Sequence, residues 1–541
     1  MKYFFLVWLL ILSLVMPTEA LAQTKQPDNL ILGLGKHHHA VTTDNPEAQK
    51  FFDQGLNLIY AFNHDEAVRS FEQAAKLDPQ LAMAYWGIAL ALGPNINLEI
   101  DFKREQIAYQ AIQQALALSP QASVPEQDYI AALATRYTNK PDADLHQLDV
   151  AYATAMGNLV KRYPNDLDAA TLYAESLMDL HPWQLWTKDG KPQADTEEIV
   201  AVLESVLQRE PNHPGANHYY IHAVEASPHP ERALKSAKRL ETLVPAAGHL
   251  LHMPAHIYFR LGDYEGAVRS NQQAIAQDDT YLCHHQVEGI YPLMYYNHNV
   301  NFLMVASSMA GRYQDALQAA DTLATNAAAI DPHLPILEGW MGNRMLIQVL
   351  FSDWEAILKT PPPDAELPTT SALWHFARGM AKAATGNLED AVSESQSLKV
   401  ATQKLPAEAT IGFTPASRIL DIAAKVLDAK IARTQNDYDS AIKLLQQAVV
   451  AEDALDYVEP PDWYLPTRET LGGVLLAKGD YAAAETVFRD NLDKYPHNGR
   501  SLFGLQASLQ AQGKDEAAKL VQTEFATAWK NSDTQLQVEN L

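Results

Sequence analysis

The stretch 51–79 has the apolar and polar spacing of two short helices. Its marked positions are two bulky residues, three small ones and a closing proline: Phe51, Phe71, Gly55, Ala67, Ala74 and Pro79. Apolar residues three or four positions apart share one helix face, and a proline ends a helix. The stretch therefore predicts two amphipathic helices joined by a short polar turn.

The same polar turn followed by an alanine recurs along the chain. Ala233 and Ala267 are 34 residues apart, as are Ala484 and Ala518. Further copies have this alanine at Ala108, Ala316, Ala391 and Ala441. Together with weaker hairpins around 126–164, 167–211 and 337–360, the pattern predicts about twelve helical hairpins. It predicts no strand.

These motifs resemble the tetratricopeptide repeat, a helix-turn-helix unit of about 34 residues. Small residues at repeat positions 8 and 20 let the two helices approach, and the phenylalanine at position 24 fills the groove between hairpins. The resemblance covers nearly the whole chain after residue 22. It implies an all-α, right-handed solenoid of helical hairpins that binds a peptide, a protein or a small molecule in a concave groove. The segment "HHHAVTTDNPEAQKFFDQGL" resembles an exported bacterial group of such proteins, and this resemblance supplies no activity.

The pattern also predicts how the chain is divided. The predicted segments are a signal peptide 1–22, an N-terminal arm 23–47, N-terminal hairpins 48–211, histidine-rich central hairpins 212–330, C-terminal hairpins 331–529 and a tail 530–541. Insertions at 93–99, 188–196, 281–296 and 361–370 are predicted to be loops. The arm residues His37, His38 and His39 are expected to be solvated, and the tail, which lacks periodicity, is expected to fray.

The N-terminal residues have the layout of a secretory signal. Lys2 precedes an apolar run from Tyr3 to Met16, and a small-residue cleavage site follows at 20–22. We expect a mature chain that begins near Gln23 and lies in a periplasm or in the medium, with no membrane attachment after cleavage. The single cysteine, Cys283, excludes an intramolecular disulfide and a thiolate zinc site.

The net charge of the chain limits the kinds of partner that it can bind. Acidic residues outnumber basic ones by 66 to 41, which gives a formal net charge of −25. A chain with this charge repels phosphate backbones, so we expect no nucleic-acid partner. The sequence also lacks the G-x-S-x-G, P-loop, GxGxxG and H-E-x-x-H motifs, so familiar hydrolase and nucleotide chemistry has no support.

Histidines concentrate in the centre of the chain, where ten of the 19 lie between His213 and His298. In tetratricopeptide-repeat proteins, positions 2, 5, 9, 12 and 13 face the groove, a feature that the resemblance implies for this chain. Three repeats starting at 214, 248 and 297 place eight residues at such positions: His218, His222, Glu225, His249, His252, His256, Arg260 and His298.

Helix geometry alone leads to the same grouping. Residues three, four or seven positions apart share one face, so His249, His252 and His256 form one stripe and His218 and His222 another. Because His218 and His252 are 34 residues apart, as are His222 and His256, the repeat places equivalent imidazoles side by side. Imidazoles with an occasional carboxylate suit Zn, Cu, Fe or Ni, whereas Ca and Mg prefer oxygen ligands. The pattern predicts either a site for one transition metal ion or a metal-free groove in which these histidines bind a peptide or small molecule through hydrogen bonds and stacking.

Three functions are compatible with these features, and the first is the favoured interpretation. The first is a binding or scaffold module whose histidine-rich groove holds a ligand or partner without a metal. The second is a metal-dependent enzyme in which Glu225 acts as base or extra ligand and Arg260 anchors an anionic substrate group. The third is metal storage or delivery, which needs the same ligands and no substrate pocket.

Overall fold

The structure is a computed structural model that describes residues 30–285, 287 and 289–541. The predicted signal peptide, 1–22, and the first part of the arm lie outside the described residues. The described helices are all too short or too polar to span a lipid bilayer.

Helices make up most of the described chain, and consecutive helices pair in chain order into the predicted hairpins. Two of these hairpins contain a helix that is broken in the middle. The α-helices are Pro46–Ile59, His64–Leu77, Ala82–Leu92, Phe102–Leu118, Val124–Leu133, Leu145–Arg162, Leu167–Met178, Thr196–Arg209, Pro214–Glu225, Leu234–Leu243, Gly248–His252, Pro254–Arg260, Tyr264–His285, Asn297–Met309, Tyr313–Ile330, Pro335–Met341, Asn343–Leu350, Trp354–Lys359, Pro368–Ala384, Leu388–Gln403, Ala416–Thr434, Tyr438–Asp453, Thr467–Lys478, Tyr481–Lys494, Gly499–Ala511 and Asp515–Ala528. The all-α helical-hairpin fold of tetratricopeptide type is thus confirmed.

The polar turns set where second helices begin. Asn63, Asn387, Asp437 and Asp480 each stand at an N-cap, and each side chain accepts a hydrogen bond from a backbone N–H in the first turn. Such a cap satisfies a donor that has no partner inside the helix, which contributes about 1 kcal/mol. The turn-plus-alanine motif seen in the sequence is therefore a helix start signal.

The described chain forms two compact units. The N-terminal unit comprises residues 30–257 and 272–296, and the C-terminal unit comprises 258–271 and 297–541. Each has its own buried core, with fully buried aromatic side chains such as Phe52 and Tyr219 in the first and Phe302 and Phe488 in the second.

Close helix packing in both units depends on glycine next to phenylalanine. A Cβ atom added at Gly55 or Gly87 would lie 2.6 or 2.4 Å from the buried ring of Phe71. The C-terminal unit repeats this arrangement, with Gly472 and Gly504 against the ring of Phe488. The groove-filling role predicted for the position-24 phenylalanine is confirmed in both places.

We expect the substitution Gly87→Ala to lower the free energy of unfolding by about 1–3 kcal/mol, because the added methyl overpacks the site around Phe71. Chemical denaturation followed by circular dichroism measures this. In a Phe71→Leu background the shorter side chain leaves room, so the same substitution should cost clearly less. An equal cost in both backgrounds would contradict the packing explanation.

One predicted loop and one stretch without a predicted strand differ from expectation. The insertion 281–296 is largely helical, because Tyr264–His285 continues into it and Tyr291–Tyr296 forms a π-helix. A short antiparallel hairpin, Thr410–Ile411 with Thr414–Pro415, interrupts the helices where none was predicted. The Asp462 carboxylate orders its turn by accepting hydrogen bonds from the Phe413 N–H and the Thr414 hydroxyl.

The C-terminal tail packs on the C-terminal unit, so the expectation that it frays is wrong. The carboxylate of Asp533 accepts hydrogen bonds from the backbone N–H groups of Tyr313 and Gln314, at the start of a helix. Trp529 lies against Gly499, and the terminal Leu541 is buried beside Gly473. The sequence pattern did not predict these contacts, because a contact made by a single side chain produces no repeating pattern along the chain.

Candidate metal centre

The five central imidazoles lie on two helical segments, and all five belong to the N-terminal unit. Helix Pro214–Glu225 is buried along its entire length and presents His218 and His222 one turn apart. The broken helix Gly248–His252 and Pro254–Arg260 carries His249, His252 and His256, all of them buried. Burial of five imidazoles in one unit is costly unless each ring finds partners.

Three of these rings converge. One ligand nitrogen from each of His218, His222 and His249, which we call the tri-histidine set, lies within 4.8 Å of the other two. The Nε2 atoms of His218 and His249 are 3.1 Å apart. Two nitrogens bound to one ion at 2.0–2.1 Å would be separated by roughly 2.9 Å at a right angle and roughly 3.3 Å at the tetrahedral angle. The observed separation fits within that range.

The backbone fixes the tautomer of His218. Its Nδ1 lies 2.7 Å from the carbonyl oxygen of Tyr60, so Nδ1 carries the proton and donates it. The Nε2 atom of the neutral ring is then a bare lone pair directed at His249. A carbonyl that holds the far nitrogen in this way is a common outer-shell partner of metal-binding histidines.

Glu225 fixes the tautomer of His222 in the same way. The Nδ1 of His222 lies 2.7 Å from Glu225 Oε1, which makes Nδ1 the donor. Its Nε2 is buried and has no hydrogen-bond partner among the described residues. A buried nitrogen lone pair without a partner is costly in an apolar environment and suits a bound cation.

The protonation states favour ligation as well. Burial lowers the pKa of His218 well below its usual value, and the neighbouring His222 lowers it further. Burial also lowers the pKa of His222, although the hydrogen bond to Glu225 opposes this. Both rings are therefore neutral near pH 7, the form in which imidazole binds metals.

The other oxygen of Glu225 reaches a second imidazole group. Glu225 Oε2 accepts a hydrogen bond from Nδ1 of His256, and the Nε2 atoms of His256 and His252 are 2.8 Å apart. We call His252 and His256 the imidazole pair. Burial would raise the pKa of the Glu225 carboxyl, but its interactions with the imidazoles of His256 and His222, including their hydrogen bonds, hold it below its usual range. Glu225 is thus an ionised, buried carboxylate that binds one imidazole of each group.

Phe62 covers the tri-histidine set from the turn between the first two helices. Its ring centroid lies 4.5 Å from that of His218 and 5.5 Å from that of His249. Phe62 has a φ of 54°, while the matching turn positions of later hairpins hold residues such as Gly311, Gly386 and Gly479. A bulky residue in this region costs about 1–3 kcal/mol of strain, and such strain clusters at functional sites.

The structure therefore brings together five of the predicted metal ligands, together with Glu225. It divides the five into the tri-histidine set and the imidazole pair. Arg260 and His298 belong to the C-terminal unit, where Arg260 lies over the ring of Tyr457 at 5.7 Å. Their roles as anion anchor and metal ligand remain predictions.

A second histidine cluster was not predicted. The carboxylate of Asp168 contacts Nε2 of His37 at 2.8 Å, Nδ1 of His39 at 2.8 Å, Nε2 of His213 at 3.2 Å and the hydroxyl of Tyr60 at 2.5 Å. We call these five residues the Asp168 cluster. The expectation that the arm histidines are solvated is wrong for His37 and His39, whose side chains are 15% and 17% exposed, whereas His38 is 57% exposed.

The tautomer of His213 identifies the Asp168 cluster as a hydrogen-bond network. His213 caps helix Pro214–Glu225, and its Nδ1 accepts a hydrogen bond from the backbone N–H of Ala216. Its Nε2 must then carry the proton and donate it to Asp168, so that nitrogen has no lone pair for a metal. Burial would raise the pKa of Asp168, but the hydrogen bonds from His213, His37 and His39 hold it well below its usual value. The cluster fastens the N-terminal arm.

We expect attachment of the arm to weaken as the pH rises above about 6.5, the ordinary pKa of histidine. Burial opposes protonation of His39, but Asp168, with smaller contributions from Asp166 and Glu126, raises its pKa. A raised folded pKa stabilises the attached arm below the unfolded value, and that stability is lost as pH rises through the folded one. The lowered pKa of Asp168 has the opposite effect: its contribution to arm attachment is lost as the pH falls. That loss occurs only under strongly acidic conditions, where Asp168 becomes protonated.

Hydrogen exchange of residues 30–45, corrected for the intrinsic pH dependence of exchange, measures this attachment. Protection should fall severalfold between pH 6 and pH 8.5 in the parent chain, and this dependence should flatten in His39→Gln. An exposed histidine outside the arm provides the control, since His229→Gln should leave the profile unchanged. A parent profile without pH dependence would contradict the role of His39.

No protein-family model matches the sequence, and no curated protein matches it. Among solved structures, the chain is similar to the human IFIT1 dimer with m7Gppp-AAAA, at 12% identity over 90% of this chain and 91% of that one, with a TM-score of 0.31. It is also similar to the Cut9-Hcn1 hetero-tetramer of the APC/C, at 12% identity, 91% and 80% coverage and a TM-score of 0.30. Yeast Tom70 matches at 14% identity, 88% and 96% coverage and a TM-score of 0.31. These similarities are too low to indicate a ligand.

Proposed function

We propose that this protein binds a first-row transition metal ion and that the tri-histidine set supplies the protein ligands. The observation that carries the proposal is the pair of fixed tautomers: the Tyr60 carbonyl and the Glu225 carboxylate each bind an Nδ1 and leave an Nε2 lone pair facing the set. Imidazole nitrogens favour Zn, Cu, Fe or Ni. The helical-hairpin fold serves as the rigid scaffold that holds the rings in place.

Three imidazoles leave a coordination position open on an ion that takes four ligands. Sites of three protein ligands with one open position are typical of catalytic zinc, whereas structural sites are closed. This ligand count favours an enzyme or a small-ligand carrier over a purely structural metal. The chemistry that a bound ion would supply is Lewis-acid activation of a molecule at the open position.

Metal titration of untagged, chelator-stripped protein tests the proposal. We expect Cu²⁺ and Zn²⁺ to bind with a Kd below about 1 μM at pH 7.5, in competition with a chromophoric chelator, because neutral preorganised imidazoles lose little on binding. Binding should raise the thermal midpoint of the N-terminal unit, because a ligand that prefers the folded state stabilises it. Absence of any saturable binding up to 100-fold higher metal concentration would contradict the proposal.

We also propose that the chain is exported. The support is the sequence alone: Lys2, the apolar run 3–16 and the small-residue site at 20–22. N-terminal sequencing of the mature protein from cell fractions tests it, and a first residue at Gln23 in the extracytoplasmic fraction is the expected result. An intact Met1 in the cytoplasmic fraction would contradict it.

A further inference from the structure

The N-terminal unit contains more converging imidazoles than one ion takes. The tri-histidine set fills three positions, and His252 and His256 form a second group of candidate ligands apart from it. Both side chains of the imidazole pair are buried, with residue exposures of 0% and 1%. Four-coordinate sites are the rule for zinc in proteins, so one ion has no place for five imidazoles and an open position.

The imidazole pair is spaced for a hydrogen bond between its two rings, and the same spacing fits two ligands on one ion. The two Nε2 atoms are 2.8 Å apart. This is close to the separation of roughly 2.9 Å expected for two nitrogens at a right angle around an ion at 2.0–2.1 Å. His256 is fixed by its Nδ1 hydrogen bond to Glu225, so its Nε2 in the neutral ring is a lone pair that faces His252.

Glu225 divides its two oxygens between the two groups. Oε1 binds Nδ1 of His222 in the tri-histidine set, and Oε2 binds Nδ1 of His256 in the imidazole pair. Metal-ligating histidines commonly donate their other N–H to a carboxylate, which sets the tautomer and increases ligand basicity. Here a single buried carboxylate performs this role toward two imidazole groups at once. Its negative charge also offsets part of the charge of bound cations.

We infer that the cluster binds two transition metal ions, the first on His218, His222 and His249 and the second on His252 and His256, with Glu225 as their shared outer-shell carboxylate. This inference rests on the proposed function, because it adds a second ion to the same cluster.

The stoichiometry of metal binding tests the inference. Untagged, chelator-stripped full-length protein is titrated with Cu²⁺ and Zn²⁺, and bound metal is measured by elemental analysis after gel filtration. Two ions per chain is the expected result. One ion per chain would overturn the second site and leave the proposed function standing, and no bound ion would overturn both.

Variants identify which residues hold which ion. His252→Ala should bind one ion per chain with an affinity for it within about tenfold of the parent, since the tri-histidine set keeps its ligands and Glu225 keeps His222. His252→Gln, which fills the site better, guards against a folding defect, and far-ultraviolet circular dichroism checks that both variants are helical. Two bound ions in a folded His252→Gln would overturn the assignment.

The arm and the surface provide the matched controls. His38 and His229 have exposed side chains, at 57% and 70%. The variants His38→Ala and His229→Ala should both retain two ions per chain. Loss of an ion from either would place one of the two ions on exposed histidines and overturn the inference.

Discussion

Replacing His222 by alanine is expected to weaken binding of the first ion by at least a hundredfold. The ring supplies a buried Nε2 that has no other described partner, so its loss removes one of three ligands. Mutating an outer-shell residue alone typically costs about 10–100-fold in metal affinity, and losing a ligand costs at least the upper end of that range. Competition titration with a chromophoric chelator measures the change directly.

His229→Ala is the matched control for this substitution. Like His222, His229 has a ring nitrogen beside a glutamate a few residues later, but its side chain is exposed. Its removal should leave metal affinity unchanged. Glu225→Gln should lower affinity by about 10–100-fold while retaining the shape of the side chain. Equal affinity in His222→Ala and the parent would remove His222 from the ligand set.

Replacing Asp168 by alanine is expected to lower the free energy of unfolding of the N-terminal unit by about 3–5 kcal/mol. The side chain accepts hydrogen bonds from His37, His39, His213 and Tyr60, and all four donors lose their acceptor. Removing one partner of a buried charged network leaves the others desolvated and unpaired, which is the costly outcome. Chemical denaturation measures the loss, and hydrogen exchange should show residues 30–45 released.

The Asp168 substitution also tests the division between the two histidine clusters. Because the His213 tautomer makes the Asp168 cluster a hydrogen-bond network, Asp168→Ala should bind as many metal ions per chain as the parent. Asp189→Ala removes an exposed carboxylate paired with Lys191 and should change stability by less than about 0.5 kcal/mol. Loss of an ion from Asp168→Ala would mean that the arm histidines are metal ligands.

The repeat made the placement of the central imidazoles predictable to a large extent. A stride of 34 residues relates His218 to His252 and His222 to His256. Because equivalent repeat positions occupy equivalent places on neighbouring hairpins, spacing alone placed these rings on the same side of their helices. The histidine at 249 followed from the helical period, and the helix starts at 214 and 248 appear where the repeat register placed them.

Spacing did not predict how the imidazoles are grouped. Which nitrogen of His218 carries a proton depends on the carbonyl of Tyr60, 158 residues away in the chain. The grouping by Glu225 likewise depends on which of its oxygens faces which helix. Nor did any local signal connect His37 and His39 with Asp168, about 130 residues later. Such contacts join distant segments without periodicity.

The sequence by itself determined the helical hairpins, their starts and the face on which the central histidines lie, because these depend on interactions within about one repeat. The tertiary structure decided the partition into the tri-histidine set and the imidazole pair, the fastening of the arm on Asp168 and the packing of the tail. Those features arise where single side chains from distant segments meet in a buried, poorly hydrated space, and there each proton and lone pair must find a partner.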